Sequence, residues 1–220
     1  MTVSQTYSVA QYIADFDKLL AKDSRAFDKT TVDLVHALAD YGHYEQTYLA
    51  GLHRWEIGSG HAEMPAYSEF TDDTRSAACE AAASHAPTAN KNTAEGHVES
   101  ASLSLDLLSS TTLELYAKTD GTKDVTSMTL ADGTELELTN TLDREWDAKV
   151  PNIMAHNLSD VLNVTITTTG GTTATMNVSP CMFAYSSLNP GRTLDKQNAG
   201  AALMRYSQAA DAYVEKYGNK

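Results

Sequence analysis

The sequence contains the same phrase twice, near its two ends, and this repeat constrains the fold more than any other feature. "ALADYGHYEQTY" runs from Ala37 to Tyr48, and "ALMRYSQAADAY" runs from Ala202 to Tyr213. In each copy a leucine is followed by one tyrosine three positions later and by another seven positions after that. At the period of an α-helix these three positions share one face. The phrase therefore predicts two helices with matching apolar stripes.

We interpret the two stripes as a packing seam between the second helix and the last helix of the chain. Small residues beside the stripes let two helices approach closely, and tyrosine rings cover a seam while their hydroxyl groups stay hydrated. Everything between the two helices is then an insertion. The predicted seam residues are Leu38, Tyr41, Tyr48, Leu203, Tyr206 and Tyr213.

Residues 1–57 are predicted to form a helical hairpin. Ser8 and Gln11 fit a capping box at the start of the first helix. The second helix is expected to begin near Thr30 or Thr31, with Asp33 in its first turn, where the helix dipole favours an anion. The apolar face of the first helix is expected at Tyr12, Phe16, Leu19 and Leu20, and that of the second at Val35, Leu38, Tyr41, Leu49 and Leu52.

The hydrophobic period changes from about 3.6 to about 2 near residue 100, which indicates strands. Asp132-Gly133 and Gly170-Gly171 lie between alternating runs, and both central residues of such hairpin turns are expected to adopt positive φ. About seven short strands over 100–188 favour an immunoglobulin-like antiparallel sandwich. Residues 58–99 are expected to be a weakly specified connector with a possible short helix, and 189–220 the C-terminal helix. The predicted class is α+β, with the sandwich inserted between N-terminal and C-terminal helices that pack together.

The charge of the chain limits its partners. A net charge of −13 over 220 residues repels the phosphates of nucleic acids and anionic membrane surfaces. No apolar run approaches the roughly 20 residues that a membrane helix needs. Cys79 and Cys181 either form a disulfide or remain two separate buried thiols, and spacing alone does not decide between them. We expect no nucleic-acid partner and no membrane insertion.

The sequence carries no motif for catalysis or for a metal. There is no Gly-x-Ser-x-Gly phrase, and neither cysteine lies in a nucleophile motif. His53, His61 and Glu63 could surround a turn, but they lack the spacing of a known metal site and are interpreted as scattered surface groups. The loop Asp120–Asp124 resembles a calcium loop only loosely and is interpreted as a hairpin turn. We predict no catalytic residues, no metal and no cofactor. A hydrolase is a third alternative, and a deep pocket lined by carboxylates or histidines would support it.

Two further features concern binding and cross-linking. Trp55 and Tyr67 flank the connector, so we expect their rings to be exposed and able to stack on sugar rings. Trp146 lies in a strand-like run and is assigned to the core. Lys118, Lys149 and Asn177 lie in or beside strands and offer an alternative in which a lysine and an asparagine form a spontaneous cross-link.

The order of these phrases resembles a C-terminal module of large secreted or wall-attached proteins from Gram-positive gut bacteria. The resemblance spans nearly the whole chain but does not include residues 58–99, and His43-Tyr44-Glu45 replaces the small residues that are usual after the glycine. The phrases that carry it are "YSVAQY", "ALADYGHYEQTYLAG", "LSLDLLSSTTLELY", "VPNIMAHNL" and "ALMRYSQAADAY".

The resemblance implies an extracellular or surface-attached location and neighbouring domains of a larger protein as partners. It transfers no catalytic residue and no cofactor. The function that we expect from the sequence is a non-catalytic structural or adhesive module. The alternative is a carbohydrate-binding module that binds a glycan through Trp55 and Tyr67. A host or dietary glycan or protein is the further partner that we consider. If replacing either ring by alanine abolished glycan binding, that result would favour the carbohydrate-binding module over the structural or adhesive module.

Overall fold

A computed structural model describes residues 8–52, 63–86, 97–106 and 111–218 of the chain. These residues form an α+β fold with five α-helices and two four-stranded antiparallel sheets. The helices are α1 (Val9–Lys22), α2 (Lys29–Gly51), α3 (Asp72–Ala82), α4 (Pro180–Ser187) and α5 (Leu194–Tyr217). The strands are β1 (Val98–Asp106), β2 (Thr112–Thr119), β3 (Val125–Leu130), β4 (Glu135–Leu136), β5 (Leu138–Leu142), β6 (Glu145–Val150), β7 (Leu162–Thr168) and β8 (Thr173–Val178).

The chain divides into two compact units. The helical unit comprises Met1–Ala81 and Ser187–Lys220, and the β unit comprises Ala82–Ser186. The helical unit thus takes residues from both sides of the β unit in the sequence. It also takes α3, which lies in the range 58–99, where the sequence predicts a connector with a possible short helix.

Helix α1 begins where the sequence predicts, but its buried face is shifted by about one residue. Ser8 Oγ accepts a hydrogen bond from the Gln11 amide at 3.1 Å, whereas the Gln11 side chain bonds to Asp15 rather than back to Ser8. Ile13 and Phe16 are buried, and Phe16 stacks on Phe27 with ring centroids 4.3 Å apart. The predicted stripe was therefore partly wrong, because two of its members, Tyr12 and Leu19, are exposed.

Helix α2 begins slightly earlier than predicted because its cap is Asp28. The Asp28 carboxylate accepts from the Thr31 amide at 3.1 Å, so Lys29 is already helical. Val35 and Tyr41 are buried, while Leu52 at the end of the predicted apolar face is exposed.

Helices α2 and α5 lie side by side and run antiparallel. At one end Lys216 Nζ of α5 lies 3.2 Å from the carboxylate of Asp28, which caps the start of α2. At the other end Lys196, in the first turn of α5, lies 5.8 Å from the centre of the Tyr48 ring, near the end of α2. Helix α5 is itself capped by Thr193, whose hydroxyl group accepts from the Lys196 amide.

Residues 63–70 form an extended segment that polar side chains of α2 hold in place. His43 Nδ1 donates to the Met64 carbonyl at 2.9 Å, and the Tyr44 hydroxyl donates to the Ser68 carbonyl at 2.6 Å. Gly42 makes room for this segment, because a Cβ at that position would lie 2.9 Å from Met64 Cγ. His43 and Tyr44 are among the residues that depart from the resembled pattern, and these contacts give them a structural role. Residues 63–70, which lie in the range predicted as a weakly specified connector, are thus held by defined contacts with α2.

The β unit contains two open sheets, in the orders β1-β2-β6-β5 and β4-β3-β7-β8. Leu113, Leu115 and Ala117 of β2 are buried in the same hydrophobic core as Val164 and Ile166 of β7, so both sheets contribute one face to it. The alternation of buried and less buried residues along β2, β7 and β8 matches the alternation that the sequence predicts for these strands. Trp146 of β6 also belongs to this core.

The two glycine turns have different geometries. Gly170 and Gly171 both have positive φ, of 97° and 82°. In the turn at Asp132-Gly133, only Gly133 has positive φ, so the expectation for both residues was wrong. The loop contains three residues, because Leu130 donates to the Thr134 carbonyl, and a single left-handed glycine closes such a loop.

Helix α4 corrects the predicted end of the β region. Ser179 Oγ accepts a hydrogen bond from the Met182 amide at 3.2 Å, and Pro180 occupies the first helical position. Proline is favoured there because its missing N–H would have no partner in any case. The last residues of the predicted range 100–188 are therefore helical, and Ser179-Pro180 is the sequence signal for that helix.

Candidate functional site

A fully buried carboxylate joins three parts of the helical unit. Asp40 of α2 accepts a hydrogen bond from Arg205 Nη1 of α5 at 2.6 Å. Its other oxygen accepts from the backbone amides of Tyr67 at 2.5 Å and Ser68 at 3.0 Å. Arg205 also donates to the hydroxyl group of Ser68. Asp40 thus ties α5 and the segment 63–70 to α2.

Two stacked aromatic rings lie next to this ion pair and also join α2 to α5. The rings of Tyr41 and Tyr206 lie nearly parallel, at 20°, with their centroids 5.6 Å apart. Burial raises the pKa of Tyr206, so its hydroxyl group stays protonated at neutral pH. Leu203 is fully buried in α5, and the remaining predicted seam residues, Leu38, Tyr48 and Tyr213, are half-buried.

Sequence reasoning missed the ion pair between α2 and α5. Asp40 and Arg205 immediately precede Tyr41 and Tyr206 and so occupy the same position in the two copies of the phrase. Opposite charges at equivalent positions were the available signal, whereas the predicted seam consisted of leucines and tyrosines with small residues beside them. Because removing one partner leaves a buried charge uncompensated, this pair has a large effect on the stability of the contact.

A second buried carboxyl group lies one turn further along α2. Glu45 is 5% exposed, and its Oε1 atom has no hydrogen-bond partner among the described residues. Burial raises the pKa of Glu45 to about 8, and the positive charge of Lys196 only partly opposes that effect. Glu45 is therefore mostly protonated at neutral pH. Like His43 and Tyr44, Glu45 replaces one of the small residues that are usual after the glycine in the resembled modules.

A groove with a volume of about 680 Å³ lies between α3 and α5 in the helical unit. Ala78, Phe70 and Met204 form apolar walls, and Arg205 and Gln208 supply polar groups. Because the charge of Arg205 is balanced by Asp40, the groove offers no net positive charge to an anion. This groove does not match the deep pocket of carboxylates or histidines that a hydrolase would need.

Of the two aromatic residues predicted to bind a ligand, Trp55 lies outside the described residues. The Tyr67 ring stacks on His36 with centroids 3.9 Å apart, and its hydroxyl group donates to Asp17. Burial, aided by Asp17, raises the pKa of the Tyr67 phenol. One face of the ring is thus covered and its hydroxyl is occupied. Ligand binding by Trp55 and Tyr67 stays a prediction.

The residues considered for a metal site are only partly described. His53 and His61 lie outside the described residues, and Glu63 is exposed. Within the described residues, no group of three or more histidine, cysteine or acidic side chains could hold a metal ion. In the loop Asp120–Asp124, the carboxylate of Asp120 is used inside the turn. Hydrogen bonds from the side chain and amide of Thr122, and from His97, lower its pKa to about 2.

The structure also places the cysteines and the residues considered for a cross-link. Cys79 and Cys181, both within the described residues, form no disulfide. Lys118 and Lys149 alternate with buried residues of β2 and β6 and so lie on the outer face of one sheet. Asn177 alternates with buried residues of β8 and lies on the outer face of the other sheet. The β core separates these faces, so the structure does not bring the lysines and Asn177 together.

No helix in the described parts of the chain is long and apolar enough to cross a membrane. Comparisons with protein-family models, with curated proteins and with solved structures find no match for this chain.

Proposed function

We propose that this chain is a non-catalytic structural module of a secreted or cell-surface bacterial protein, whose partners are the neighbouring domains of that protein. The observation that carries the proposal is the junction between α2 and α5, where Asp40, fully buried, pairs with Arg205 at 2.6 Å. This junction fastens the chain segments before and after the β unit to each other. The resemblance to modules of Gram-positive surface proteins supports the extracellular location.

The order of the two units along the chain gives this junction a mechanical role. The β unit leaves the helical unit after Ala81 and returns to it at Ser187. Tension applied across the module therefore passes through the helical unit first. The β unit bears the load only after α2 and α5 separate.

The contacts along α2 and α5 are suited to resist that separation. The two helices are antiparallel, and they are tied near the start of α2 by Lys216 and Asp28 and further along by Arg205 and Asp40. The stacked rings of Tyr41 and Tyr206 follow the second tie. Because the start of α2 lies beside the end of α5, tension from the two chain ends reaches these contacts one after another, first Lys216–Asp28 and then Asp40–Arg205.

The same proposal includes an immunoglobulin-like arrangement of the β unit. It is supported by two antiparallel sheets that share one core, an arrangement common among domains that display a binding surface. Protected from tension by the helical unit, such a domain would keep its surface intact while neighbouring domains are pulled.

Single-molecule force spectroscopy on the full chain, held at Ser8 and Gly218 between marker domains, tests the load path. The β unit has about 105 residues, so its unfolding releases roughly 350 Å of chain. We expect this release only after an earlier step in which the helical unit opens. Arg205→Met should lower the force of that first step, and Gln208→Ala, an exposed change on α5, should not. Release of the β-unit length before any opening of the helical unit would refute the proposed role.

A further inference from the structure

The outer face of the sheet β1-β2-β6-β5 carries a polar cavity of about 270 Å³. The strand register places Lys118 of β2 opposite Ser100 of β1 on one side and opposite Glu145 of β6 on the other. The next row of the same face places Tyr116 opposite Ser102. These five residues line the cavity.

The two charged groups in the cavity face each other across neighbouring strands without forming an ion pair. Among the described residues, neither Lys118 nor Glu145 has a salt bridge or a side-chain hydrogen bond. On the same face, Lys149 and Glu114 also occupy opposing positions, and they do pair, at 2.8 Å. The sheet therefore permits such pairs, but at the cavity it leaves one donor group and one acceptor group unused.

A hydrogen-bonded wall closes one side of the cavity. The Tyr116 hydroxyl donates to Glu114 at 2.8 Å, and Glu114 is held in turn by Lys149. Burial, together with that bond to Glu114, raises the pKa of Tyr116 to about 12, so the hydroxyl remains a donor. These bonds fix the direction of the phenol ring beside Lys118 and Glu145.

A buried acceptor lies next to Tyr116 on the neighbouring strand. Asp147 is the partner of Tyr116 on β6, is 9% exposed, and has one carboxylate oxygen without a hydrogen-bond partner among the described residues. Asp147 does not line the cavity itself, but with Glu145 it outweighs the positive charge of Lys118 on this part of the face. The face therefore favours a ligand that is rich in hydrogen-bond donors.

We propose that this cavity binds one sugar ring of an uncharged glycan. Each hydroxyl group of a sugar both donates and accepts, so adjacent hydroxyls can accept from Lys118 and donate to Glu145 at the same time. Hydrogen bonds to charged groups are the stronger ones, and the hydroxyl groups of Ser100 and Ser102 extend the row of partners. A zwitterion such as glycine would match the two charges but would use neither serine. This site lies in the β unit and does not depend on the load-bearing role of the helical unit.

NMR titration of the ¹⁵N-labelled full chain with the methyl glycosides of glucose, galactose and N-acetylglucosamine tests the site, and glycine serves as the zwitterion. We expect at least one glycoside to shift the amide signals of Ser100, Ser102, Tyr116, Lys118 and Glu145, with a Kd of about 1–10 mM for a single ring. Glu145→Gln and Lys118→Met should each weaken binding by at least about tenfold, the loss of one charge-assisted bond. Glu135→Gln, an exposed change on β4 of the other sheet, should leave binding unchanged.

The titration of the unmodified chain decides the proposal even if a variant fails to fold. Saturating shifts with glycine but with none of the glycosides would overturn it, as would glycoside shifts confined to residues 63–70 or to the groove between α3 and α5. The absence of any shift with all three glycosides would overturn it as well. None of these results would alter the expected order of unfolding under force, so the failures of the two proposals can be told apart.

Discussion

Asp40 and Arg205 occupy equivalent positions in the two copies of the repeated phrase, and their side chains form an ion pair 2.6 Å long. The next residues in each copy, Tyr41 and Tyr206, stack on each other. Two antiparallel helices that meet through equivalent residues are related locally by a two-fold axis, as in a symmetric dimer. Identical charged residues would repel each other across such an axis. The opposite charges of this pair avoid that repulsion within one chain.

Removing one partner of this pair should destabilise the helical unit strongly. Arg205→Met leaves Asp40 buried without its cation, and we expect the free energy of unfolding to fall by about 3 kcal/mol. Asp40→Asn keeps an oxygen for the amides of Tyr67 and Ser68, so it should cost less. In the Asp40→Asn background, Arg205→Met should cost about 1–2 kcal/mol less than it does alone. Denaturant unfolding followed by the circular dichroism of the helices measures all four proteins.

The matched control is Arg25→Met, because Arg25 pairs with Asp23 at an exposed position between α1 and α2. Exposed pairs contribute about 0–1 kcal/mol, so this change should be nearly silent. Additive effects of the two substitutions at Asp40 and Arg205 would show that the pair is not coupled and would contradict the assigned role of the junction.

Truncating either stacked tyrosine should also destabilise the helical unit. Tyr41→Ala and Tyr206→Ala each remove a ring from the contact between α2 and α5, and we expect a loss of about 3 kcal/mol for each. Tyr12→Ala removes an exposed ring from α1 and should cost under about 0.5 kcal/mol. Equal, small losses at all three positions, measured by the same denaturant unfolding, would show that the stacked rings contribute little.

The contrast between α5 and α1 shows what periodicity can predict. In the copy on α5, leucine and two tyrosines recur at helical spacing with small residues beside them, which fixes both the helix and its packing face. In α1 the spacing also predicts a helix, but Tyr12 and Ile13 are adjacent and both apolar. Spacing alone could not decide which of them is buried, and the structure buries Ile13.

Helical periodicity could not predict the order of the segment 63–70 or the burial of the carboxyl groups of α2. The segment has no regular secondary structure, and its order comes from side chains of α2 some twenty residues earlier, such as His43 bonding to Met64. No local pattern reveals a contact over that separation. Asp40 and Glu45 are buried although charged residues usually lie at the surface, so composition gives no sign of their burial.

The β unit offers a comparison between the two faces of one strand. Ile166 of β7 is fully buried in the core that both sheets share, whereas its neighbour Thr165 is half-buried on the outer face. Ile166→Ala should reduce the free energy of unfolding of the β unit by about 2–5 kcal/mol, and Thr165→Ala by less than about 1 kcal/mol. In a Trp55→Phe background the fluorescence of Trp146, which lies in that core, reports this unfolding. A similar loss for both variants would contradict the assignment of the two faces.

The stability of the helical unit should fall as the pH rises, because of Glu45. Burial raises the pKa of Glu45 from an ordinary 4.5 to about 8. Between these two values the folded state holds a proton that the unfolded state has released. Since the folded state then binds more protons, the free energy of unfolding falls with rising pH, by at most about 1.4 kcal/mol per pH unit. Above pH 8 both states are ionised and the slope disappears.

Glu45→Gln isolates this effect, because glutamine has nearly the shape of the protonated carboxyl group and does not titrate. The difference in the free energy of unfolding between the variant and the unmodified chain should be small near pH 5 and should grow in favour of the variant up to about pH 8. Lys196, which faces Glu45 from α5 and stabilises its ionised form, limits the size of that difference. Lys196→Met should therefore raise the pKa of Glu45 further and extend the decline to higher pH in the unmodified background, and it should have no such effect in the Glu45→Gln background. A constant difference between the two proteins from pH 5 to pH 8 would mean that Glu45 is already ionised in the folded state, with a partner for its charge.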